Sequence, residues 1–361
     1  MRSAIAIAIA ACSNSHPAAV DAPGAQPDAP AVDAMSACSG SACELTCDAA
    51  DTWLAFTRGP GTGQGDTEPA SPDEVGDGQW HLFAGVNNST TSTPDVYIYD
   101  LAAAAPTDVF VQPADPVVST RDSYDAAGSE TPAYLRADAH REYIYYCAVV
   151  QYVPTPSTTV AALRRTDGGA WTKIGSVAPP LAGELTQCEP TAIIRRSDGH
   201  VLLSYHALNT ASGERVQQVV RDSTDPESFP ASGATVVLDN DAAAVYPARL
   251  AVSFDATSGV YRTAFDVGYP YAMQTLQTWS ATPVAAQADL NAASVLHDGN
   301  HALHANLHVD GTQCTPDTCP QGAVLQPSKA IYPNATDVIF YYSGWSDAPA
   351  LQVNGQRCHR P

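Results

Sequence analysis

Two glutamates of this chain stand close to prolines in a pattern that suits acid–base chemistry. Glu189 directly precedes Pro190, and Glu130 lies two residues before Pro132. One carboxylic acid can donate a proton to a leaving group while a second carboxylate accepts one from the attacking group. Acidic residues that a fold brings together from separate segments can therefore work as a pair, and both glutamates are candidate catalytic residues.

A third place of this kind lies earlier in the chain, at Ser71-Pro72. The position before this proline holds a serine, which has no carboxylate. Asp73 follows the proline, and Asp66 and Glu68 precede it. We take Asp73 and Asp66 as the further catalytic candidates.

These places belong to a unit that recurs along the chain. The second anchor position of each unit falls at Pro72, Pro132, Pro190, Pro247 and His304, so successive steps are 60, 58, 57 and 57 residues. A near-constant step marks a repeat architecture, in which each unit buries its apolar faces against its neighbours.

Each unit has the pattern of a strand, a tight turn and a second strand. Asp77-Gly78 precedes an apolar and aromatic run at 80–85, and Asp198-Gly199 precedes another at 201–205. Asp-Gly at such a place predicts a β-hairpin. A unit of this length has room for four strands, which make one propeller blade. The sequence predicts an all-β fold, a five-bladed β-propeller of four-stranded antiparallel blades over residues 51–361. A β-sandwich with similarly spaced strands is the alternative.

The innermost strands of a propeller surround a central channel, so residues near the anchors are the first candidates for a site. Tyr246 and His304 hold these places in the fourth and fifth units. Trp80 begins the hairpin of the first unit and offers an aromatic face, although packing in the core is its simpler role. We take these three residues as candidate substrate contacts.

The proline units resemble those of the five-bladed propellers of the arabinanase, xylosidase and fructosidase type, which carry Asp-Pro or Glu-Pro at strand starts. The matching segments are Ser71-Pro72, Glu130-Thr131-Pro132, Glu189-Pro190 and Tyr246-Pro247. The resemblance implies a glycoside hydrolase-like protein with a carbohydrate as its partner. It makes Glu189 the general acid and gives Glu130 the task of adjusting pKa and orientation. The base or nucleophile position falls on Ser71, so Asp73 or Asp66 would have to replace it.

Two functions follow as hypotheses. One is a cell-surface enzyme that hydrolyses glycosidic bonds in a polysaccharide. The other is a non-catalytic propeller that binds glycan or protein and lacks the first-blade carboxylate. Two carboxylates across the scissile bond are required for the first function only.

Four histidines lie close together in the fifth unit, at positions 297, 301, 304 and 308. Two that are four residues apart share a face of a strand, so a metal site with a nearby aspartate is one interpretation and polar lining is the other. The chain has no Walker-type loop, His-Glu-x-x-His or EF-hand motif. We expect no cofactor, with a divalent cation in the central channel as the open alternative.

The start of the chain is typical of an exported protein. The apolar run 4–11 is too short to span a bilayer as a mature helix, and it ends Ile9-Ala10-Ala11-Cys12. This end resembles the lipobox of bacterial lipoproteins, in which the cysteine carries the lipid anchor; a plain secretory signal is the alternative. We predict a signal peptide at 1–11, a disordered Ala/Pro/Asp-rich tether at 12–37 and a cysteine-containing arm at 38–50. The protein is then an outer-membrane lipoprotein or is secreted.

The cysteine count agrees with export. Nine cysteines less Cys12 leave eight, enough for four disulfides in an oxidising compartment. Cys314 and Cys319 flank a turn-like segment, and we predict that they pair. Cys147 and Cys188 are placed to join adjacent blades.

The remaining cysteines are Cys38, Cys43, Cys47 and Cys358. A bond from one of the first three to Cys358 would tie the N-terminal arm to the last blade. A metal cluster of the first three is the alternative, which we discount because no histidine lies nearby in sequence to complete a zinc site.

The chain is strongly acidic, with 17 Lys+Arg against 38 Asp+Glu and a net charge of -21. This charge argues against nucleic acid and against an anionic membrane surface as a partner. Contact with a membrane is therefore expected only through the lipid anchor. A neutral, hydroxyl-rich ligand is compatible with the charge, and we expect a monomer.

Overall fold

The protein is described by a computed structural model that covers residues 46–57, 67–89, 94–152, 156–209, 215–239, 247–256, 260–267, 274–280, 324–325, 328–344 and 352–359. This part of the chain is nearly all β-structure, with one short α-helix, α1 (Pro72–Val75), and a 3-10 turn at Ala231–Gly233. None of its helices is long and apolar enough to cross a membrane.

Eighteen strands make up the described part. They are β1 (Thr46–Thr57), β2 (Thr67–Ala70), β3 (Trp80–Asn87), β4 (Val96–Ala103), β5 (Gly128–Arg136), β6 (Arg141–Gln151), β7 (Ser157–Thr166), β8 (Thr172–Ser176), β9 (Glu184–Ile194), β10 (Val201–Asn209), β11 (Arg215–Ser223), β12 (Ala234–Asp239), β13 (Pro247–Asp255), β14 (Val260–Val267), β15 (Gln274–Ser280), β16 (Val324–Leu325), β17 (Asp337–Gly344) and β18 (Gln352–His359).

The strands form three sheets. The largest has the order β12-β11-β10-β9-β7-β6-β5-β4-β3-β2, with β8 on β7, and the others are β13-β14-β15 and β1-β18-β17-β16. Pairing is antiparallel except at two places in the largest sheet, β4 to β5 and β7 to β9, each joined by one residue pair. These two contacts divide the chain into five antiparallel strand groups: β2–β4, β5–β8, β9–β12, β13–β15, and β16–β18 with β1.

The first strands of neighbouring groups lie against one another. β2 contacts β5, β5 contacts β9, and β9 contacts β13. The fifth group reaches back to the first, since β17 contacts β2. Side chains at the starts of these strands are therefore brought near each other from distant parts of the sequence.

Apolar clusters fill the spaces between successive groups. One joins β5–β7 to β9–β11, a second joins β2–β4 to β5–β7, and a third joins β1, β17 and β18 to β3 and β4. In the second cluster the Phe83 ring stacks on Tyr134 at a centroid distance of 4.9 Å. Because each cluster is shared by two groups, no group buries its apolar face alone.

The N-terminal strand completes the last group. β1 pairs with β18 in antiparallel register, which places Cys47 opposite Cys358. Cys358 is disulfide-bonded. Backbone pairing thus joins the beginning of the described chain to its end.

The repeat predicted from sequence has the right period but the wrong start in the first unit. Pro132 and Pro190 lie within β5 and β9, and Pro247 begins β13. Pro72 instead begins α1, because Ser71 and Glu74 form a capping box and proline is favoured in the first turn of a helix. The first strand of this group is β2, so its proline is Pro69.

Phe83 tests the packing between the first two groups. Phe83→Ala should lower the free energy of unfolding by about 3–5 kcal/mol, because the ring is fully buried against the Tyr134 ring and truncation leaves a cavity. Urea denaturation measures the effect. The control is Val109→Ala, at a side chain that is 58% exposed, which should change stability by less than about 0.5 kcal/mol. Equal effects in the two variants would contradict this account of the packing.

Candidate functional site

Three glutamates mark the first strands of three consecutive groups. Glu68 lies on β2, Glu130 on β5 and Glu189 on β9, and none is more than 2% exposed. An ionised carboxylate is rarely enclosed in this way unless it has a partner or a function. The surroundings of these glutamates define the candidate site.

The second and third glutamates flank one disulfide. The predicted Cys147–Cys188 bond is present and joins β6 to β9. A carboxylate oxygen of Glu130 lies within 4.8 Å of both sulfur atoms, and Glu189 follows Cys188 directly in the chain. The disulfide therefore fixes the two strand starts against each other.

The backbone is unusual at both places. Thr131 has a φ of 54° and Glu189 a φ of 59°, and each directly precedes a proline. The left-handed region is unfavourable for residues other than glycine, and the α region is further disfavoured before proline. Both residues also lie at irregularities in strand pairing. Such strain persists only where the surrounding structure enforces it, and it is concentrated at functional sites.

Glu189 faces a buried histidine on the neighbouring strand. The Nδ1 atom of His206 on β10 lies 3.0 Å from Glu189 Oε2. Burial lowers the pKa of His206 to about 4, so its imidazole is uncharged at neutral pH. The group that faces Glu189 from β10 is thus polar and neutral.

Glu130 is held by a tyrosine. The hydroxyl of Tyr152 donates a hydrogen bond to Glu130 Oε1 at 2.5 Å. Gly128 makes room for this hydroxyl, because a Cβ at that position would clash with Tyr152 Oη. The β3 strand closes the other side: a Cβ on Gly85 would lie 3.6 Å from Glu130 Cα.

Glu68 faces a lysine from the fifth group. Lys329 Nζ lies 3.7 Å from Glu68 Oε1 and 2.7 Å from Glu74 Oε1 of α1. Burial raises the pKa of Glu68 well above its ordinary value, and the Lys329 ammonium opposes that shift. Glu68 therefore differs from the other two glutamates in having a cation beside it.

Lys329 comes from the segment that pairs with β17. Ser328 N donates to Tyr341 O at 2.6 Å, and Ile331 and Ile339 exchange two hydrogen bonds of 2.9 Å. This segment has the same relation to β17 as β2 has to β3. Lys329 is therefore the counterpart, in the fifth group, of the first-strand glutamates.

The candidates predicted from sequence fall in different places. Glu189 and Glu130 lie on adjacent first strands, as required of a shared site. Asp73 is exposed in the first turn of α1, away from the strand to which it was assigned. Trp80 is partly buried and packs against the apolar cluster between the fifth and first groups. The other candidates lie outside the described residues: Asp66, Tyr246, His304, Cys12, Cys314 and Cys319.

Sequence reasoning gave little weight to Glu68 and missed His206 and Lys329. Glu68-Pro69-Ala70 carries the same Glu-Pro pair as Glu189-Pro190, a signal that points to Glu68 better than Ser71-Pro72 does. No comparable signal marks the other two. Ser328-Lys329-Ala330 lacks the proline, and His206 is one of several polar residues in an alternating strand.

A metal site is not evident among the residues that the structure describes. The metal-donor group found there consists of Glu130, Cys147 and Cys188, and its two sulfur atoms are bonded to each other. A disulfide sulfur is not the thiolate that metals bind. The four histidines of the fifth unit lie outside the described residues, so the divalent cation stays a prediction.

Comparison with known proteins defines the class of fold. No protein-family model matches the chain, and no curated protein matches it by sequence. Solved structures match it well. A BT0996–RGII complex has a TM-score of 0.57 at 12% identity, over 88% of this protein and 92% of the matched one.

Two further matches are enzymes. A thermostable family-43 glycoside hydrolase has a TM-score of 0.56 at 14% identity, over 81% of this protein and 88% of the matched one. The α-L-arabinofuranosidase from Lactobacillus brevis has a TM-score of 0.55 at 10% identity, over 86% and 92%. The protein has the fold of the β-propeller glycoside hydrolases, which confirms the resemblance seen in its proline units at the level of fold.

His206 provides a pH-dependent test of the site. Because its pKa is lowered to about 4 in the folded protein and lies near 6.5 in the unfolded chain, the unfolded state binds more protons between these values. Stability should fall by about 3 kcal/mol as the pH drops through this window. In His206→Gln this part of the loss should disappear, as measured by denaturation at a series of pH values. His140→Gln, at an exposed histidine, should not reduce the loss. An unchanged pH dependence in His206→Gln would show that this histidine is not held neutral.

Proposed function

We propose that the protein is a glycosidase-type enzyme that hydrolyses glycosidic bonds in a polysaccharide. The observation that carries the proposal is the set of three enclosed glutamates on the first strands of consecutive groups. The fold supports it, because structures with this fold include glycoside hydrolases. Fold alone does not fix function, so the residues of the site carry the argument.

We propose further that the five strand groups are the blades of a five-bladed propeller. The apolar clusters between the fifth and first, first and second, and second and third groups support this arrangement. So does the contact of β17 with β2. The first strands then line one central channel, and Glu68, Glu130, Glu189 and Lys329 project from different blades towards it.

The three glutamates take different roles in this proposal. Glu189 is the general acid and gives its proton to the departing glycosidic oxygen as the C–O bond breaks. Glu68 is the base or nucleophile, in place of Asp73 or Asp66. Glu130, held by Tyr152, adjusts the orientation and charge of the other two. The net reaction adds water across the glycosidic bond, since the new C–O bond takes the oxygen of water and one of its protons restores the acid.

Leaving-group dependence tests the acid. In Glu189→Gln, kcat/KM should fall 10²–10⁴-fold on arabinan or xylan oligosaccharides, whose leaving oxygen needs a proton. On a 2,4-dinitrophenyl glycoside the loss should be much smaller, because that phenolate leaves without protonation. A pooled set of aryl glycosides identifies the sugar to use.

Two controls complete this experiment. Glu68→Gln should lose activity on both kinds of substrate, whereas Asp73→Asn, at an exposed side chain of α1, should keep it. Equal losses on both substrates in Glu189→Gln would remove the acid role from this residue.

The enclosure of the glutamates favours a second candidate function, a non-catalytic propeller that binds glycan. All three are at most 2% exposed, and Glu68 is engaged by Lys329. A site of this kind would bind without turnover. Saturable binding of an oligosaccharide in calorimetry, with no hydrolysis by the unaltered protein, would select this function over the first.

We also propose that the protein is exported and anchored through Cys12. The apolar run that ends at Cys12 supports this, as does the buried Cys147–Cys188 bond, because disulfides persist in oxidising compartments. The acidic surface charge offers no attraction to anionic lipid.

Detergent partition tests the anchor. After expression in a bacterium, the unaltered protein should enter the detergent phase of a Triton X-114 extraction, because the lipid chains partition into micelles. Cys12→Ser should move to the aqueous phase, and the control Cys38→Ser should stay in detergent. Recovery of the unaltered protein from the aqueous phase would contradict anchoring and favour simple secretion.

A further inference from the structure

Lys329 is a buried cation placed between two acidic groups from other elements. Its side chain is 1% exposed, and its Nζ atom lies 3.7 Å from Glu68 Oε1 and 2.7 Å from Glu74 Oε1. Glu68 is completely enclosed, while Glu74 is 17% exposed. The lysine therefore already has a strong partner in Glu74, and its approach to Glu68 is not needed to satisfy its own charge.

The other groups around this cluster do not replace it. Arg136 Nη1 binds the backbone oxygen of Glu74 at 2.7 Å, and the Tyr134 hydroxyl donates to Glu142 Oε1 at 2.6 Å. The Lys329 ammonium also lies 5.9 Å from the centre of the Tyr134 ring. Of the cations that the structure describes around Glu68, Lys329 is the one in direct range of its carboxylate.

We propose that Lys329 is a positioning residue that keeps Glu68 ionised, the form that a base or a nucleophile needs. The inference rests on the proposed function and adds to it a fifth-group residue that selects the role of Glu68. The physical reason is that an enclosed carboxylate without a cation takes up a proton, whereas a nearby ammonium favours the charged form. Burial raises the pKa of Glu68 and Lys329 opposes that shift, in agreement with this role.

The pH dependence of kcat/KM tests the proposal. In Lys329→Met the acidic limb should move to higher pH by one unit or more, so activity at neutral pH falls at least tenfold and recovers as the pH rises. KM should change little, because the lysine acts through Glu68. Lys329→Arg, which keeps the charge, should retain the original profile. Lys173→Met is the matched control, since it removes another lysine that pairs with a buried aspartate, Asp125, outside the site.

A second measurement separates this inference from the function on which it rests. In Lys329→Met, Glu68 must be protonated on folding, so its stabilising contribution is present at low pH and is lost as the pH rises. The destabilisation of this variant should therefore grow with pH, and adding Glu68→Gln should relieve it. The double variant also guards against loss of folding in the single one.

The outcomes are distinct. A destabilisation that does not depend on pH and is not relieved by Glu68→Gln would overturn the role of Lys329. An unaltered protein that hydrolyses no glycoside would overturn the proposed function, while the coupling of Lys329 to Glu68 would still be decided by stability. An unshifted acidic limb in an active Lys329→Met enzyme would also overturn the inference.

Discussion

The shared apolar surfaces between neighbouring strand groups are the constraint on which the rest of the structure depends. Rings and aliphatic side chains of one group complete the core of the next, as Phe83 of β3 does against Tyr134 of β5. Removing this surface from water stabilises the fold and requires each group to have a neighbour on both sides. The first strands are brought together as a consequence, although they are far apart in sequence.

This packing also creates the electrostatic character of the site. Three residues of the same type are enclosed on adjacent first strands, and each has a different partner: Lys329 for Glu68, Tyr152 for Glu130 and His206 for Glu189. A cation, a hydroxyl and an uncharged imidazole affect the ionisation of a carboxylate differently. One amino-acid type can thus supply an acid and a base in a single site.

Backbone strain fixes where two of these carboxylates lie. Thr131 and Glu189 adopt left-handed conformations directly before prolines, next to a disulfide that joins their neighbourhoods. Each such residue costs of order 1–3 kcal/mol, which the apolar clusters on both sides must offset. The β2 strand has regular pairing at Glu68, so the first group reaches the site without this strain. The difference agrees with the altered spacing of its Glu-Pro pair along the chain.

The sequence by itself determined the strand-rich architecture, the repeat step, two of the three glutamates and the Cys147–Cys188 pair. It could do so because Asp-Gly turns, prolines before strands and the spacing of cysteines are local signals. Pro72 misled it, since a proline that opens a strand and one that opens a helical turn look alike until Ser71 and Glu74 are seen to cap the helix. Only the tertiary structure brought Lys329 to Glu68 and His206 to Glu189. Contacts of this kind depend on how separate strand groups pack, and the side chains involved lie in segments whose local pattern carries no trace of the partner.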